Sequence, residues 1–481
     1  MSMQHLEPKE VFSQFEAITQ IPRPSKKEGK IMEYLRQFAA KHKLACKTDA
    51  ADNVLISKPA TPGYEDKPGI VLQAHTDMVC EKNADTVHNF DTDPIQTYVD
   101  GDWLKAKGTT LGADNGIGMA FALAVLASND LKHPAIECLF TVDEETGLTG
   151  AFALGEGFFE GSRLINLDSE DDGEIFIGCA GGIDTLAKFS IEEEAAPQGY
   201  FSARVKVSGL LGGHSGDDIE KGRGNANKIL VRYLYQVNKE TDLRIAHIDG
   251  GNLRNAIARE AYADVCVPMA YKEQLRIQLN HFTVEVENEL ALTDKGVTLS
   301  LDSQDMPATV FTKAFSDKIL QVLYACPHGV FAMSRTMPGL VETSTNMASV
   351  KRQDDKLVVN TSQRSSMESA KYDIMYMVES TFLLAGAEVS HGDGYPGWQP
   401  NVDSYLLKVA QDTYRKLAGK EAKVRAIHAG LECGLFLKKY PHLDMISVGP
   451  TMTGVHSPNE RLSISSTATC WEWLKAILEE A

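Results

Sequence analysis

The chain has 481 residues, with 48 Lys and Arg against 66 Asp and Glu, a formal net charge of −18. That length allows roughly two to four domains with real cores. An acidic surplus argues against a nucleic-acid binder, which needs a basic footprint, and fits a soluble chain kept apart by self-repulsion. Eight scattered cysteines with no C-x-x-C pair read as reduced thiols, not a disulfide framework or a zinc finger. The opening MSMQHLEPKEVF lacks the basic head and apolar run of a signal peptide, and no apolar run approaches the about 20 residues of a membrane span. A cytoplasmic protein with neither nucleic acid nor membrane as partner is expected.

In chain order, Val11, Phe15 and Ile18 recur at helical spacing, as do Ile31, Leu35 and Phe38. Ser25 followed by Glu28 predicts a capping box opening the second helix. Short apolar runs at 53–57, 69–75, 136–142 and 163–168 predict strands, and residues 116–128 predict a helix apolar nearly all round, hence buried. Strands bounded by helices in this way imply an α/β fold: a mixed, mostly parallel sheet sandwiched by helices. From about residue 183 the style changes. Residues 203–209 and the pair within 345–364 alternate apolar with polar, the mark of a sheet with one wet face, among amphipathic helices near 225–240, 311–325 and 371–386. Beyond Tyr395 the first style returns, with a helix near 402–418, a strand at 445–449 and a terminal helix from about Ser466. The expected organisation is an α/β domain in two parts, 1–182 and 396–481, interrupted by an inserted α+β domain over 183–395.

Five segments carry acids or imidazoles at the ends of predicted strands or just beyond them. In VLQAHTD, His75 and Asp77 sit two apart and so share one face of a strand. An imidazole ligand usually has a carboxylate behind it, although a surface pair would look the same. In GTTLGADNG, Asp114 reads as the N-cap of the buried helix or, with Asn115 as the cap, as a ligand. Glu144 and Glu145 in FTVDEETG are either a solvated turn or a metal ligand beside a proton-handling base, with Asp143 adding like charge. Asp168 in LINLDSED follows a strand directly, ahead of Glu170, Asp171 and Asp172, which read as a solvated loop. His456 in GPTMTGVHSPNERL lies in a Gly/Pro loop, where a lone His is ordinarily a surface residue. Together the five make a pattern. A doubly wound sheet gathers ligands outside the carboxyl ends of its strands. Two His and three carboxylates suit two divalent ions, zinc first among them, each with one His and one terminal carboxylate and sharing the third.

The motifs IPRPS, AHTDMV, GADNGIG, DEETGLTGA, NLDSE, GGHSG, HAGLECG and VHSPNERL run in that order along almost the whole chain. In this the sequence resembles the co-catalytic dinuclear zinc exopeptidase family, and within it the bacterial aminoacyl-histidine (Xaa-His, carnosinase-like) dipeptidases. The resemblance implies that His75 ligates one zinc and His456 the other, with Asp114 bridging and Glu145 and Asp168 each completing one ion. Mn²⁺ and Co²⁺ are the alternatives to zinc. It further implies that Asp77 stands behind His75 and that Glu144 is the general base. The resemblance makes the two-part domain catalytic and the inserted domain a lid, on which His214 in GGHSGDDI would steady the reacting carbonyl oxygen, while Asn255 in RNAIARE and Arg364 in TSQRSS would hold substrate. His428 and the turn through Gly430 would lie near the substrate's C-terminal end. The implied substrate is a dipeptide with a free N-terminus, and the implied assembly is a homodimer through the lid. Without the family, His214 reads as a turn residue and Arg364 as a surface charge. A tripeptidase or N-acyl-amino-acid deacylase of the same family, and a non-catalytic metal- or peptide-binding scaffold, are the competing functions.

Overall fold

The structure, a computed structural model, describes residue 3 and residues 5–481. Two compact units are present. The first takes in the chain up to Gly178, then Pro400–Ala426 and Leu431–Ala481; the second comprises Cys179–Gln399 and Ile427–Gly430. The division thus falls after Gly178 and Gln399, and not at 182 and 395. Residues 427–430 go with the second unit instead of the first, because the Ala180 N–H donates to the carbonyls of Ile427 (3.1 Å) and Ala429 (3.0 Å).

The first unit is built on an eight-stranded mixed sheet. Its strands are β1 (Ala45–Thr48), β2 (Val54–Lys58), β3 (Ile70–His75), β4 (Ile136–Thr141), β5 (Arg163–Asn166), β6 (Glu174–Cys179), β7 (Lys423–Ile427) and β8 (Asp444–Ser447). Their spatial order is β1-β2-β4-β3-β5-β8-β6-β7. The four central strands, β4, β3, β5 and β8, run parallel, whereas β2 joins β4 and β6 joins β8 antiparallel. β3 is buried over its whole length, which is why it is written as an apolar run. Parallel central strands bring their carboxyl ends to one edge, and that edge carries the candidate site.

The helix Ala113–Ala127 is buried from Asn115 to Leu126. Phe121 stacks on Trp471 of the C-terminal helix Ile464–Glu480, ring centroids 6.1 Å apart and planes 6° from parallel. Burying side chains of this size contributes about 1.5–3 kcal/mol each. Regular helical geometry begins only after Asn115, whose Oδ1 accepts the Gly118 N–H at 3.1 Å. Asn115 is therefore the cap, and the Asp114 carboxylate is left to other partners.

The expected capping box at Ser25 and Glu28 does not form. The helix Gly29–His42 starts without a side-chain cap. Ser25 instead donates to Asp77 Oδ2 at 2.8 Å, and Glu28 Oε1 accepts the Asp143 N–H at 2.9 Å. Tertiary partners outcompete the local ones, so a spacing that mimics a cap supports loops from remote parts of the chain.

The second unit is a nine-stranded antiparallel sheet. In space the order is Thr298–Gln304, Tyr200–Ser208, Ala261–Pro268, Arg244–Gly250, Val341–Gln353, Lys356–Ser365, Gly181–Ser190, Glu388–His391, with Gly329–Met333 also pairing to Val341–Gln353. Burial alternates along Tyr200–Ser208 and the second half of Gly181–Ser190, as in a sheet with one solvated face. Leu230, Ile319 and Val378, from the helices Ala226–Glu240, Lys313–Ala325 and Glu368–Leu384, join Val205, Val265 and Val359 in one core. A further helix, Lys272–Glu289, buries Leu275, Leu279, Phe282 and Val286, a stripe too narrow to stand out among its charged residues. Among the described residues no helix is long and apolar enough to cross a membrane.

Candidate metal centre

His75 closes β3, Asp168 lies two residues past β5, and Glu144 and Glu145 open a short helix after β4. His456 sits in the loop beyond β8 at φ +60°, a left-handed conformation uncommon for a side chain other than Gly and one that clusters at functional sites. Asp114 stands between the two imidazoles. Its Oδ1 is 3.0 Å from His75 Nε2 and its Oδ2 is 3.0 Å from His456 Nε2. Each imidazole meets a second acid: His75 Nε2 lies 3.4 Å from Asp168 Oδ1, and His456 Nε2 lies 3.1 Å from Glu145 Oε2. Two triads, His75–Asp114–Asp168 and His456–Asp114–Glu145, thus share one carboxylate.

Behind His75, Asp77 Oδ1 is 3.2 Å from Nδ1, which directs Nε2 toward Asp114. Asp77 also accepts the N–H groups of Glu144 (3.0 Å) and Glu145 (3.1 Å). A second group of acids, Glu28, Asp77 and Asp143, lies within ligand reach of one another. Its oxygens are already occupied: beyond the bonds above, Asp143 accepts the hydroxyls of Thr146 and Thr149. Asp143 therefore supports the turn and does not enter the site.

The charges around the two triads explain the titration of the groups. Burial opposes protonation of His75, but Asp168, Asp114 and Asp77 override it and hold the imidazole well above its ordinary value. His456 is pushed up to about 11 by Asp114 and Glu145. Burial, with Asp114 and Glu145, lifts Asp168 to about 6. Glu144 is raised well above the usual carboxylate range by burial and by Asp168, Glu432 and Glu145, against His75. Glu170, which the sequence places in a solvated loop, is half-buried, and burial with Asp114 and Asp168 lifts it to about 8.

These residues fit divalent cations. Glu145 Oε1 and Asp168 Oδ1 are buried oxygens that make no hydrogen bond. His75, Asp114 and Glu145 present ligand atoms within 4.8 Å of one another. Carboxylates crowded at low exposure around two imidazoles repel one another, a cost that bound cations would offset. The donor set, nitrogen and carboxylate oxygen, suits zinc, manganese and cobalt.

The remaining candidate residues lie in the second unit. His214 Nδ1 lies 3.3 Å from the Gly216 N, 3.2 Å from the Asp217 N and 3.5 Å from Asp217 Oδ2. Arg364 is buried, donates from Nη1 to the Tyr395 hydroxyl at 2.9 Å, and places Nη2 3.5 Å from His214 Nε2. His428 is buried with Nε2 2.7 Å from Ser344 Oγ, and burial together with Arg364 drives it down to about 3, so it is neutral. Gly430 must be Gly, because a Cβ there would lie 2.7 Å from the Tyr395 ring. Arg364 and Gly430 thus adjoin Tyr395, and His214 joins them through Arg364. Asn255 is not drawn into the group: its side chain is exposed, and its carbonyl accepts the Ser215 N–H at 2.8 Å. Half-buried Tyr395 and the buried Ser344, Arg23, Glu432 and Glu460 are polar partners to which the motifs assign no role, although IPRPS, HAGLECG and VHSPNERL contain three of them.

Residues 71–480 match the family described as Peptidase family M20/M25/M40. Over 478 residues, 99% of each chain, the sequence is 44% identical to the cytosol non-specific dipeptidase of Escherichia coli (strain K12). The crystal structure of an aminoacylhistidine dipeptidase from Vibrio alginolyticus matches with a TM-score of 0.94 at 44% identity, covering 100% of this chain and 98% of that one. The aminopeptidase PepT of Bacillus cereus shares the fold, with a TM-score of 0.57 at 16% identity over 99% of each chain. The chain belongs to peptidase family M20/M25/M40 and is an enzyme that hydrolyses peptide bonds.

Proposed function

We propose that this peptidase is a dipeptidase working with two divalent cations, zinc first among them, on dipeptides with a free N-terminus, Xaa-His included. The names of its 44%-identical relatives support the substrate class. The observation that carries the metal reading is Asp114, whose two oxygens each stand 3.0 Å from a different imidazole nitrogen. In this reading His75 and Asp168 hold one ion, His456 and Glu145 the other, and Asp114 both.

Bound cations supply Lewis acidity, making water acidic enough to ionise near neutral pH and polarising a carbonyl. Glu144 takes the proton of the attacking water and passes it to the leaving amine, breaking the peptide bond with no net change in the enzyme's own proton. Burial and neighbouring acids raise the Glu144 carboxyl above the usual carboxylate range, which makes it a stronger base for the first transfer. Asp77 keeps the peptide that carries Glu144 fixed through the 3.0 Å bond. Arg364, planar and buried, receives the substrate's free carboxylate, which favours very short peptides. His214 donates to the developing oxyanion, a contribution worth about 3–4 kcal/mol where such donors are removed. The His428–Gly430 turn completes the substrate contacts, and Asn255, exposed in the free chain, would join them only on substrate binding. A homodimer through the second unit and a cytoplasmic setting belong to the same proposal, the latter supported by the cytosolic relative's name.

The test is a panel of dipeptides, tripeptides and N-acylated amino acids, run beside Glu144→Ala. Zinc-loaded protein is expected to hydrolyse dipeptides preferentially, and Glu144→Ala to keep two equivalents of metal while losing nearly all turnover. Activity on acylated amino acids alone would establish the deacylase instead, and full activity in Glu144→Ala would remove the general base.

A further inference from the structure

We propose that Arg23 and Glu460 set the spacing of the two cations by locking the Asp114 loop to both histidine-bearing segments, an inference that rests on the two-cation function above. Both charges are buried, at 3% and 2% exposure, and among the described residues neither forms a salt bridge. Buried charges without an ionic partner are costly and persist where the backbone satisfies them. Here four N–H groups surround Glu460 and three carbonyls surround Arg23, and Asp77, Glu460 and Asp114 add attraction for the guanidinium.

Glu460 accepts four successive N–H groups. Oε2 takes those of Leu111 (2.7 Å) and Gly112 (3.0 Å), and Oε1 those of Ala113 (2.7 Å) and Asp114 (3.3 Å). Arg23 donates to three carbonyls: Nη1 to Thr76 (2.9 Å) and Asp77 (2.6 Å), and Nη2 to Gly112. Gly112 is gripped from both sides, its N–H by the anion and its carbonyl by the cation. It sits at φ +69°, and a Cβ there would come within 2.7 Å of both Arg23 Nη2 and Met78 Sδ. The loop is shaped around the guanidinium.

The connectivity gives the pair its meaning. Arg23 ties the Asp114 loop to Thr76 and Asp77, the residues that follow His75. Glu460 ties the same loop to the segment that carries His456 four residues earlier, itself closed by the Glu460 N–H to the Ser457 carbonyl at 3.0 Å. Each imidazole segment is therefore fixed to the shared carboxylate by one buried charge. Neither residue reaches the ligand atoms, so both are positioning residues.

Metal-free protein titrated with Zn²⁺ is expected to take up two ions per chain. Glu460→Ala and Arg23→Ala are each expected to keep a first ion and to bind the second at least tenfold more weakly. Loaded with Mn²⁺, the wild type is expected to give the exchange-coupled paramagnetic resonance spectrum of a bridged pair, and the variants the spectrum of isolated ions, with circular dichroism unchanged. Should alanine prevent folding, Glu460→Asp, which keeps the charge but withdraws it by one methylene, is expected to give the same loss of coupling. Folded variants with wild-type stoichiometry, affinity and coupled spectrum would overturn the clamp. A wild-type chain that takes up no second ion would overturn the two-cation function, and the clamp with it.

Discussion

Asp77 holds Glu144 through the backbone, its Oδ1 accepting the Glu144 N–H at 3.0 Å while the same oxygen lies 3.2 Å from His75 Nδ1. One carboxylate thus orients an imidazole and the peptide bearing two of the site's acids, and Oδ2 adds the Glu145 N–H and the Ser25 hydroxyl. Burial opposes this charge, but His75, Ser25 and the Glu144 N–H outweigh it and hold the carboxyl at about 2. Asp77→Ala should therefore cost metal affinity and turnover together, each by about 10–100-fold, the range seen when the partner behind a metal-bound His is removed. Metal titration and steady-state kinetics on the same preparation check this. Unaltered metal binding with unaltered kcat would show that His75 and the Glu144 turn hold their places unaided.

Metal uptake should be a proton-releasing event. In the metal-free chain His456 stands at about 11 and His75 well above its ordinary value, so both imidazoles carry an extra proton near pH 7. A raised imidazole stabilises the metal-free fold below its unfolded value near 6.5, and for His456 that contribution fades as pH rises through about 11. A nitrogen that ligates must first lose its proton. Binding two cations near pH 7 is expected to release about two protons per chain, and the apparent affinity to climb with pH. Calorimetry in buffers of differing ionisation enthalpy measures the number directly. Release near zero would contradict the protonation of the metal-free pair.

What the sequence makes legible follows from the physics of each feature. Ile70–His75 and Ile136–Thr141 stand out because strands buried on both faces are written as unbroken apolar runs. Asp114 and Asp168 are noticeable because they sit at the start of a buried helix or just beyond such a run, and His456 because it stands in the Gly/Pro loop after one. The support beneath them is not legible in this way. Arg23, Ser25, Glu28 and Glu460 are polar residues in loop-like segments, the composition of any exposed turn, and only when remote segments close over them do Arg23, Glu28 and Glu460 become buried and Ser25 half-buried. Ser25 and Glu28 even carry the spacing of a capping box, and only tertiary geometry shows that their partners are Asp77 and Asp143. Tyr395 and Ser344 escape for the same reason, since nothing local marks the Arg364 and His428 that they contact.

Tyr395→Phe removes the acceptor for Arg364 Nη1 without emptying the space beside Gly430. A hydrogen bond of this kind contributes about 0.5–1.5 kcal/mol net. If Arg364 receives the substrate carboxylate, KM for dipeptides should rise about two- to tenfold while kcat stays within about twofold, because ground state and transition state lose the same contact. A fall in kcat at constant KM would place the Tyr395–Arg364 pair in the chemical step instead of in binding.

Glu432 offers a stability test that is separate from turnover. Its carboxyl is 1% exposed; Oε2 accepts from Gln73 Nε2 at 2.6 Å and Thr141 Oγ1 at 2.9 Å, while Oε1 is buried without a hydrogen bond. Burial raises it from the usual 4.5 to about 7, with Asp168 adding to the rise and His75, Thr141 and Gln73 opposing it. A carboxyl raised on folding is kept neutral by the fold at low pH. As pH climbs above 4.5 the unfolded chain ionises first, so the fold loses stability until about pH 7 and is level beyond. That loss is on the order of 3 kcal/mol. Glu432→Gln keeps an oxygen for Gln73 and Thr141 and removes the charge. The metal-free variant should therefore melt several degrees above the metal-free wild type near pH 8, and the two should converge as the pH falls below about 4.5. A variant that melts lower than the wild type near pH 8 would mean that the interior of this unit needs the Glu432 charge, with His75 as its counterion.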